Sequence, residues 1–363
     1  MDNLIKIVYN VIILYTNCGF VKGVNGIIMK KAKIISLFAA FAVTMGMGIS
    51  VGAFSDMPDG EMGKALENAV SAGLINGITE DTIAPYDNIT RAQMATIITR
   101  AFCATETGDT KFNDVASDAW YATTVSQAAK MGAFQGDDNN NFNPENPITF
   151  QETYLVISRV FGFEPYTTKK GQQVGGSEAS VLDAFGDKGE VASWATIGAT
   201  SIVGKGGWTG IDGMLKPTAY ITRGEFAILM DTIVDTYIDE PGTYSSLTDG
   251  LVMVRCGGVV IDGLNSNHNL VATYGVDEGG LEIKNSTING VTFILGGIDK
   301  TPKESENADG TKSLTADDTH IKLNGNFFDV RVNSAFVSVD ASNAKIQYYK
   351  GVKDSLVSIS ASL

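Results

Sequence analysis

The stretch Ile83-Ala84-Pro85-Tyr86-Asp87-Asn88-Ile89-Thr90-Arg91-Ala92-Gln93 decides the fold, because its skeleton returns twice further along the chain. An apolar-x-Pro unit stands at Ile83/Pro85, Phe142/Pro144 and Leu215/Pro217, and a threonine follows five residues after each proline, at Thr90, Thr149 and Thr222. Three residues beyond each threonine comes Gln93, Glu152 or Glu225. A threonine with Gln or Glu three places on is a capping box, in which hydroxyl and side-chain carbonyl satisfy each other's orphan backbone N–H groups. A helix is therefore predicted after each threonine. The bodies agree: Met94, Ile97, Ile98, Ala101 and Phe102 recur at three and four residues, as do Phe226, Leu229, Met230, Ile233 and Val234.

Upstream of each unit lie two further landmarks. A Phe-x-Asp opening occurs at Phe54/Asp56, Phe112/Asp114 and Phe185/Asp187. A Gly-x-apolar-x-Gly unit follows at Gly73/Gly77, Gly132/Gly136 and Gly206/Gly210. Between them runs a first helical pattern, with Trp120, Val125, Ala128 and Ala129 near one face in the second copy. The first glycine is expected to end that helix, where a C-terminal cap wants positive φ. Each copy then reads helix, turn, extended connector, capped helix. One copy cannot bury its apolar faces alone, whereas three packed about a pseudo-threefold axis can.

These motifs, with Trp120 and Trp194 and the turns Ile89-Thr90-Arg91-Ala92-Gln93, Ile148-Thr149-Phe150-Gln151-Glu152 and Ile221-Thr222-Arg223-Gly224-Glu225, resemble the S-layer homology domain. The resemblance spans residues 54–237. It implies a three-pronged helical domain that binds secondary cell-wall polysaccharide, often bearing ketal-linked pyruvate. Other surface-layer proteins are implied as further partners. The family's ligand-binding arginine falls on Arg91 and Arg223; Phe150 departs from it, and Glu61 stands where the other copies carry Trp120 and Trp194. Three equivalent grooves are therefore not expected. Arg91 and Arg223 are read as forks for a ligand carboxylate beside a helix N-terminus. Trp120 and Trp194 serve either as sugar platforms or as core. Asp56, Asp114 and Asp187 either accept sugar hydroxyls or simply close turns.

Composition bounds the rest. The chain has 363 residues and a formal net charge of −14, which excludes nucleic acid as a partner because phosphate binding needs a basic footprint. Met29-Lys30-Lys31-Ala32-Lys33, the apolar run to Ser50 and Val51-Gly52-Ala53 form a secretory signal pattern, with no membrane attachment expected after its cleavage. Residues 1–28 then read as a non-native leader, with Met29 the true start. Cleavage after Ala53 removes Lys6, Lys22, Lys30, Lys31 and Lys33 against one acid, Asp2, leaving −18. Cys103 and Cys256 are assigned to different modules, so a disulfide between them is not expected. With His268 and His320 the only histidines, neither a metal site nor a cofactor is expected.

The expected organisation is multidomain: repeats at 54–105, 106–165 and 183–238, a polar loop at 166–182, a linker at 239–245 and an all-β module at 246–363. Short runs such as Leu251–Val254, Val259–Ile261, Leu270–Tyr274 and Leu281–Ile283 are separated by Asn, Gly and Ser. They fit a β-sandwich or a β-solenoid, and the asparagine corners favour the solenoid, with 297–318 extruded as a loop. The Leu281–Leu295 stretch resembles rungs of pectate-lyase-like β-helices. No paired carboxylates mark a hydrolase. Asp318 and His320 offer two thirds of a triad without a nucleophile elbow. The module is read as a structural or glycan-binding display element rather than an enzyme, with a β-helix-type polysaccharide lyase or hydrolase as the alternative.

Overall fold

The computed structural model describes residues 54–277, 279–298, 303–306, 312–315 and 319–352. The expected leader, the signal peptide and the end of the expected all-β module lie outside them. Six helices form the first half: α1 Gly60–Ser71, α2 Arg91–Ala101, α3 Ala122–Lys130, α4 Phe150–Val160, α5 Thr196–Gly206 and α6 Arg223–Ile233. The capped helix of one repeat packs on the first helix of the next: α2 on α3, α4 on α5, and α6 back on α1. The three repeats thus close a ring. No repeat owns a helix pair by itself.

The hub of the ring is made by the three isoleucines that precede the cap threonines. Ile148 N–H donates to Ile89 O (2.9 Å), Ile89 N–H to Ile221 O (3.0 Å) and Ile221 N–H to Ile148 O (3.1 Å). All three side chains are fully buried. Each backbone group here is completed by another repeat, which makes the trio cooperative.

The spacing glycines have distinct reasons. Gly73 (φ 67) and Gly132 (φ 74) follow α1 and α3 in the left-handed conformation. In the third repeat the expected cap glycine, Gly206, instead ends α5, and its neighbour Gly207 (φ 70) takes the cap. Gly136 has another role: a Cβ there would lie 2.8 Å from the ring of Phe112, the opening residue of its own repeat. The expected loop 166–182 holds a short antiparallel hairpin, β1 Tyr166–Thr167 with β2 Gln173–Val174.

The second half is one nine-stranded sheet whose pairings are all parallel: β3 Thr236–Ile238, β4 Gly242–Tyr244, β5 Val252–Val254, β6 Val259–Asp262, β7 Asn265–Ser266, β8 Leu270–Ala272, β9 Leu281–Ile294, β12 Ile321–Val332 and β13 Val339–Gly351. β9 alone lies alongside β6, β7 and β8 in turn. The sheet starts three residues after α6, and the expected linker carries β4, so no spacer divides the halves. Within 297–318, the described backbone forms a separate antiparallel pair, β10 Lys303–Glu306 and β11 Lys312–Thr315. Gly325 (φ 143) is needed where β12 crosses Ser286, since a Cβ there would strike that residue's backbone.

Helices and sheet share a core. Leu251, Met253, Val271, Val291, Phe293 and Leu295 belong to the same buried cluster as Phe102, Phe161 and Ile233. The sheet also caps the helix C-termini, whose last carbonyls have no intrahelical donor. Arg255 donates to Ala72 O (2.7 Å), Tyr274 N–H to Phe102 O (3.1 Å), Asn269 to Phe161 O (3.1 Å) and Arg331 to Gly162 O (2.9 Å). Both arginines are held by a carboxylate of their own module, Asp239 and Asp329, and lie 4.8 Å from the rings of Tyr237 and Tyr166. A guanidinium at a helix C-terminus also meets the favourable end of the dipole.

Candidate functional site

The capping box is complete in all three copies. Thr90, Thr149 and Thr222 accept from the N–H of Gln93, Glu152 and Glu225, whose side chains accept from the threonine N–H. The two preceding helical N–H groups are also engaged, each by the next repeat's proline turn. Arg91 N–H donates to Asn146 O and Ala92 N–H to Pro144 O; Phe150 and Gln151 use Ala219 and Pro217; Arg223 and Gly224 use Asp87 and Pro85. The helix starts therefore have these backbone N–H groups engaged by protein, which leaves the side chains as the groups able to meet an anion there.

Asp56, Asp114 and Asp187 are clamps. Each carboxylate accepts two consecutive N–H groups of its own turn: Ile83 and Ala84 (2.8 and 2.7 Å), Phe142 and Asn143 (2.7 and 2.7 Å), Leu215 and Lys216 (3.0 and 2.7 Å). They hold a turn whose second residue has positive φ: Ala84 at 51, Asn143 at 57 and Lys216 at 49. The N–H of Ile83, with that of Ala84, keeps the Asp56 carboxyl below the usual range against some desolvation. That clamp's contribution is full above the ordinary carboxylate pKa and fades as pH falls through the depressed value. At Asp187, which is buried, alanine would orphan two N–H groups. Asp187→Ala is expected to lower stability by about 3 kcal/mol, read as a shift in the urea midpoint.

The two arginines reach across repeat boundaries. Arg91 Nε donates to Phe142 O (2.7 Å) and Nη1 to Glu152 Oε1 (2.7 Å), with the guanidinium 5.2 Å from the Phe142 ring. Arg223 Nε donates to Ile83 O (2.7 Å) and Nη2 to Asn76 O (2.5 Å). Neither fork is open as the sequence suggests: its Nε edge is spent on the neighbouring repeat. In the remaining copy Phe150 is fully buried, and the equivalent carbonyl, Leu215 O, takes the hydroxyl of Tyr154 (2.5 Å), which itself accepts from Trp208 Nε1 (3.0 Å). Burial pushes the Tyr154 phenol pKa well up, so it stays a donor. The signal was in the sequence: Tyr154 stands where the other copies have Ala95 and Ala227.

Trp120 and Trp194 are 64% and 52% exposed, so neither is core. Trp120 precedes α3 and meets Tyr121 edge-on at 5.2 Å, while Trp194 lies in a short 3-10 turn packed on α4. Because pairing is cyclic, the groups sort by boundary rather than by repeat. The α2/α3 boundary carries Arg91 from one repeat and Trp120 from the next; the α4/α5 boundary carries Phe150 and Trp194; the α6/α1 boundary carries Arg223 and Glu61. In the β module, Asp318 falls outside the described residues, and the backbone carbonyl of His320 accepts from Leu281 N–H (2.7 Å). Among the described residues no cluster of metal-ligating side chains occurs, and no helix is long and apolar enough to cross a membrane.

This cyclic helical repeat unit defines a class. The S-layer homology domain model matches residues 53–95 and 111–153. The chain is 30% identical over 176 residues to the Surface-layer 125 kDa protein of Lysinibacillus sphaericus, an alignment covering 47% of this chain and 14% of that protein. It is 30% identical over 155 residues to the Surface layer protein of Brevibacillus choshinensis, covering 40% and 14%. An Amylopullulanase of Thermoanaerobacterium thermosulfurigenes is 27% identical over 218 residues, covering 58% of this chain and 11% of the enzyme. The matched part is thus a small fraction of each relative's length, and the likeness to enzymes lies in the anchoring segments. The chain carries an S-layer homology domain, and this places it outside the cell, at the wall. The family match covers the first two repeats; the third has the same clamp, cap and paired helix.

Proposed function

We propose that the helical ring binds secondary cell-wall polysaccharide, with pyruvate ketals supplying the carboxylate, and that the boundary between repeats one and two is the principal groove. The observation that carries this is the packing of α2, which Arg91 opens, on α3, which the exposed Trp120 precedes, within the two segments that match the family. An indole face stacks on a sugar ring, and Arg91 Nη2, which neither Phe142 nor Glu152 engages, meets the acid. The other boundaries each lack one partner. The β module is read as a solenoid: every pairing within its nine-stranded sheet is parallel, with β5, β8 and β9 in successive register, whereas sandwiches are built from antiparallel sheets. It acts as a display element held against the anchor, in a lattice with other surface-layer proteins.

Titrating purified wall polysaccharide into a chain beginning at Phe54, by calorimetry, tests the groove. Arg91→Ala and Trp120→Ala are each expected to weaken binding about tenfold, Trp194→Ala and Arg223→Ala much less. Mild acid removal of the ketals should abolish the Arg91 effect. Equal losses at all three boundaries would overturn the assignment.

A further inference from the structure

The β module carries an outward strip that the anchor does not use. Strands alternate inward and outward. Around the buried column Ser266, Ile288, Phe327 and Ile346, the outward neighbours form two columns. One runs Asn265, Thr287, Asn326, Lys345, which are paired in register. The other runs Asp249, Asn267, Asn289, Phe328, Gln347. Its first members are tied as a ladder: Asn267 Nδ2 donates to Asp249 Oδ2 (2.9 Å) and Asn289 Nδ2 to Asn267 Oδ1 (3.1 Å). Where β9 carries an extra residue opposite the Phe327–Asp329 step of β12, the strip deepens into an open cleft of about 290 Å³ lined by Asn289, Asn326, Phe328, Lys345 and Gln347.

Three features specify an occupant. The strip holds one acid and one lysine, so it is electrically balanced on a strongly acidic protein. Side-chain amides offer both donors and acceptors, which suits hydroxyl groups rather than an anion. Phe328 is 37% exposed and fixed edge-on to Tyr348 at 5.2 Å, and Tyr348 is held by Gln172 of the helical half (2.8 Å). That is a braced apolar platform at the end of an amide ladder. Successive rungs lie about 4.8 Å apart, close to the advance per sugar in an extended β-linked glycan. We propose that this cleft binds a neutral, extended polysaccharide lying along the strip, each sugar meeting one rung and one ring stacking on Phe328. The inference rests on reading the module as a display element, and not on the ring's binding of wall polymer.

The test uses the chain beginning at Phe54, titrated separately with cellohexaose, xylohexaose and N-acetylchitohexaose. At least one is expected to bind, equally well at low and high salt because no charge is neutralised. Phe328→Ala and Asn326→Ala should each weaken it about tenfold while melting temperature stays put. Arg91→Ala should leave it unchanged, and Phe328→Ala should leave wall-polysaccharide binding unchanged, so the two sites fail independently. The proposal is overturned if none of the three oligosaccharides binds, if the Phe328→Ala, Asn326→Ala double variant binds as the parent does, or if salt suppresses binding. It is equally overturned if the face instead joins two copies of the chain, seen as a dimer that Phe328→Ala dissolves.

Discussion

Cutting the chain after Asp235 is expected to leave a helical fragment without a cooperative thermal transition. The cut removes Leu251, Met253, Val271, Val291, Phe293 and Leu295, which are buried in the helices' own cluster. Fully burying such side chains is worth about 1.5–3 kcal/mol each. If only half of that is gained against the helices, the loss is about 5–9 kcal/mol, comparable to a domain's whole net stability of about 5–15 kcal/mol. The donors from Arg255, Asn269 and Arg331 to the helix ends go as well. Near-UV circular dichroism and a dye for exposed apolar surface read the outcome; a sharp transition with native near-UV signal would show the repeats to be self-sufficient. A point variant separates docking from truncation. Phe293 packs against Gly162, where a Cβ would lie 2.9 Å from its ring. Phe293→Ala should cost about 3–4 kcal/mol and lower helix and strand signals together.

This coupling also marks what could be read from the chain alone. Caps, proline turns and helix faces are local patterns with their own physical signatures, and Thr90, Thr149 and Thr222 are helix caps as their spacing indicates. The long strands were legible as fragments: Leu281–Ile283 and Val291–Leu295 are two ends of β9, interrupted by Asn285 (φ 53), which no alternation rule carries through. β3, β4 and β7 escaped because two or three residues show no period. Docking was hidden for a different reason. Arg255, Asn269 and Arg331 look like surface residues in sequence, and their partners are bare helix-end carbonyls more than a hundred positions away. The candidate site was legible in composition but not in grouping, since cyclic pairing sets α2, which Arg91 opens, beside α3 of the next repeat rather than beside a helix of its own. The turn aspartates show the limit most clearly. Their recurrence marks a shared task, and the structure identifies that task as holding backbone N–H groups.

The boundary between repeats two and three can be tested by exchange. In the other copies the positions four apart are arginine and alanine, Arg91 with Ala95 and Arg223 with Ala227; here they are Phe150 and Tyr154. Both solutions satisfy the same carbonyl, by a guanidinium at Phe142 O and Ile83 O, or by a phenol at Leu215 O. Phe150→Arg alone places a charge in a site already filled by Tyr154 and Trp208, so it should destabilise by about 3–5 kcal/mol rather than open a groove. Tyr154→Ala alone leaves a cavity and an unmet carbonyl, costing about 3–5 kcal/mol. Together they should cost less than their sum by about 2 kcal/mol. The introduced guanidinium can then use Leu215 O, and Glu225 stands where Glu152 serves Arg91. Rescue stays partial because Trp208 loses its acceptor. Urea midpoints of the four proteins give the coupling; simple additivity would mean that the two arrangements are not alternatives. A rescued double variant would set an arginine at the boundary that carries Trp194, reproducing at a second boundary the pair proposed for Arg91 and Trp120 at the first. Its stoichiometry for wall polysaccharide should then rise from one site toward two, whereas an unchanged stoichiometry would show that arginine and tryptophan together do not suffice to make a groove.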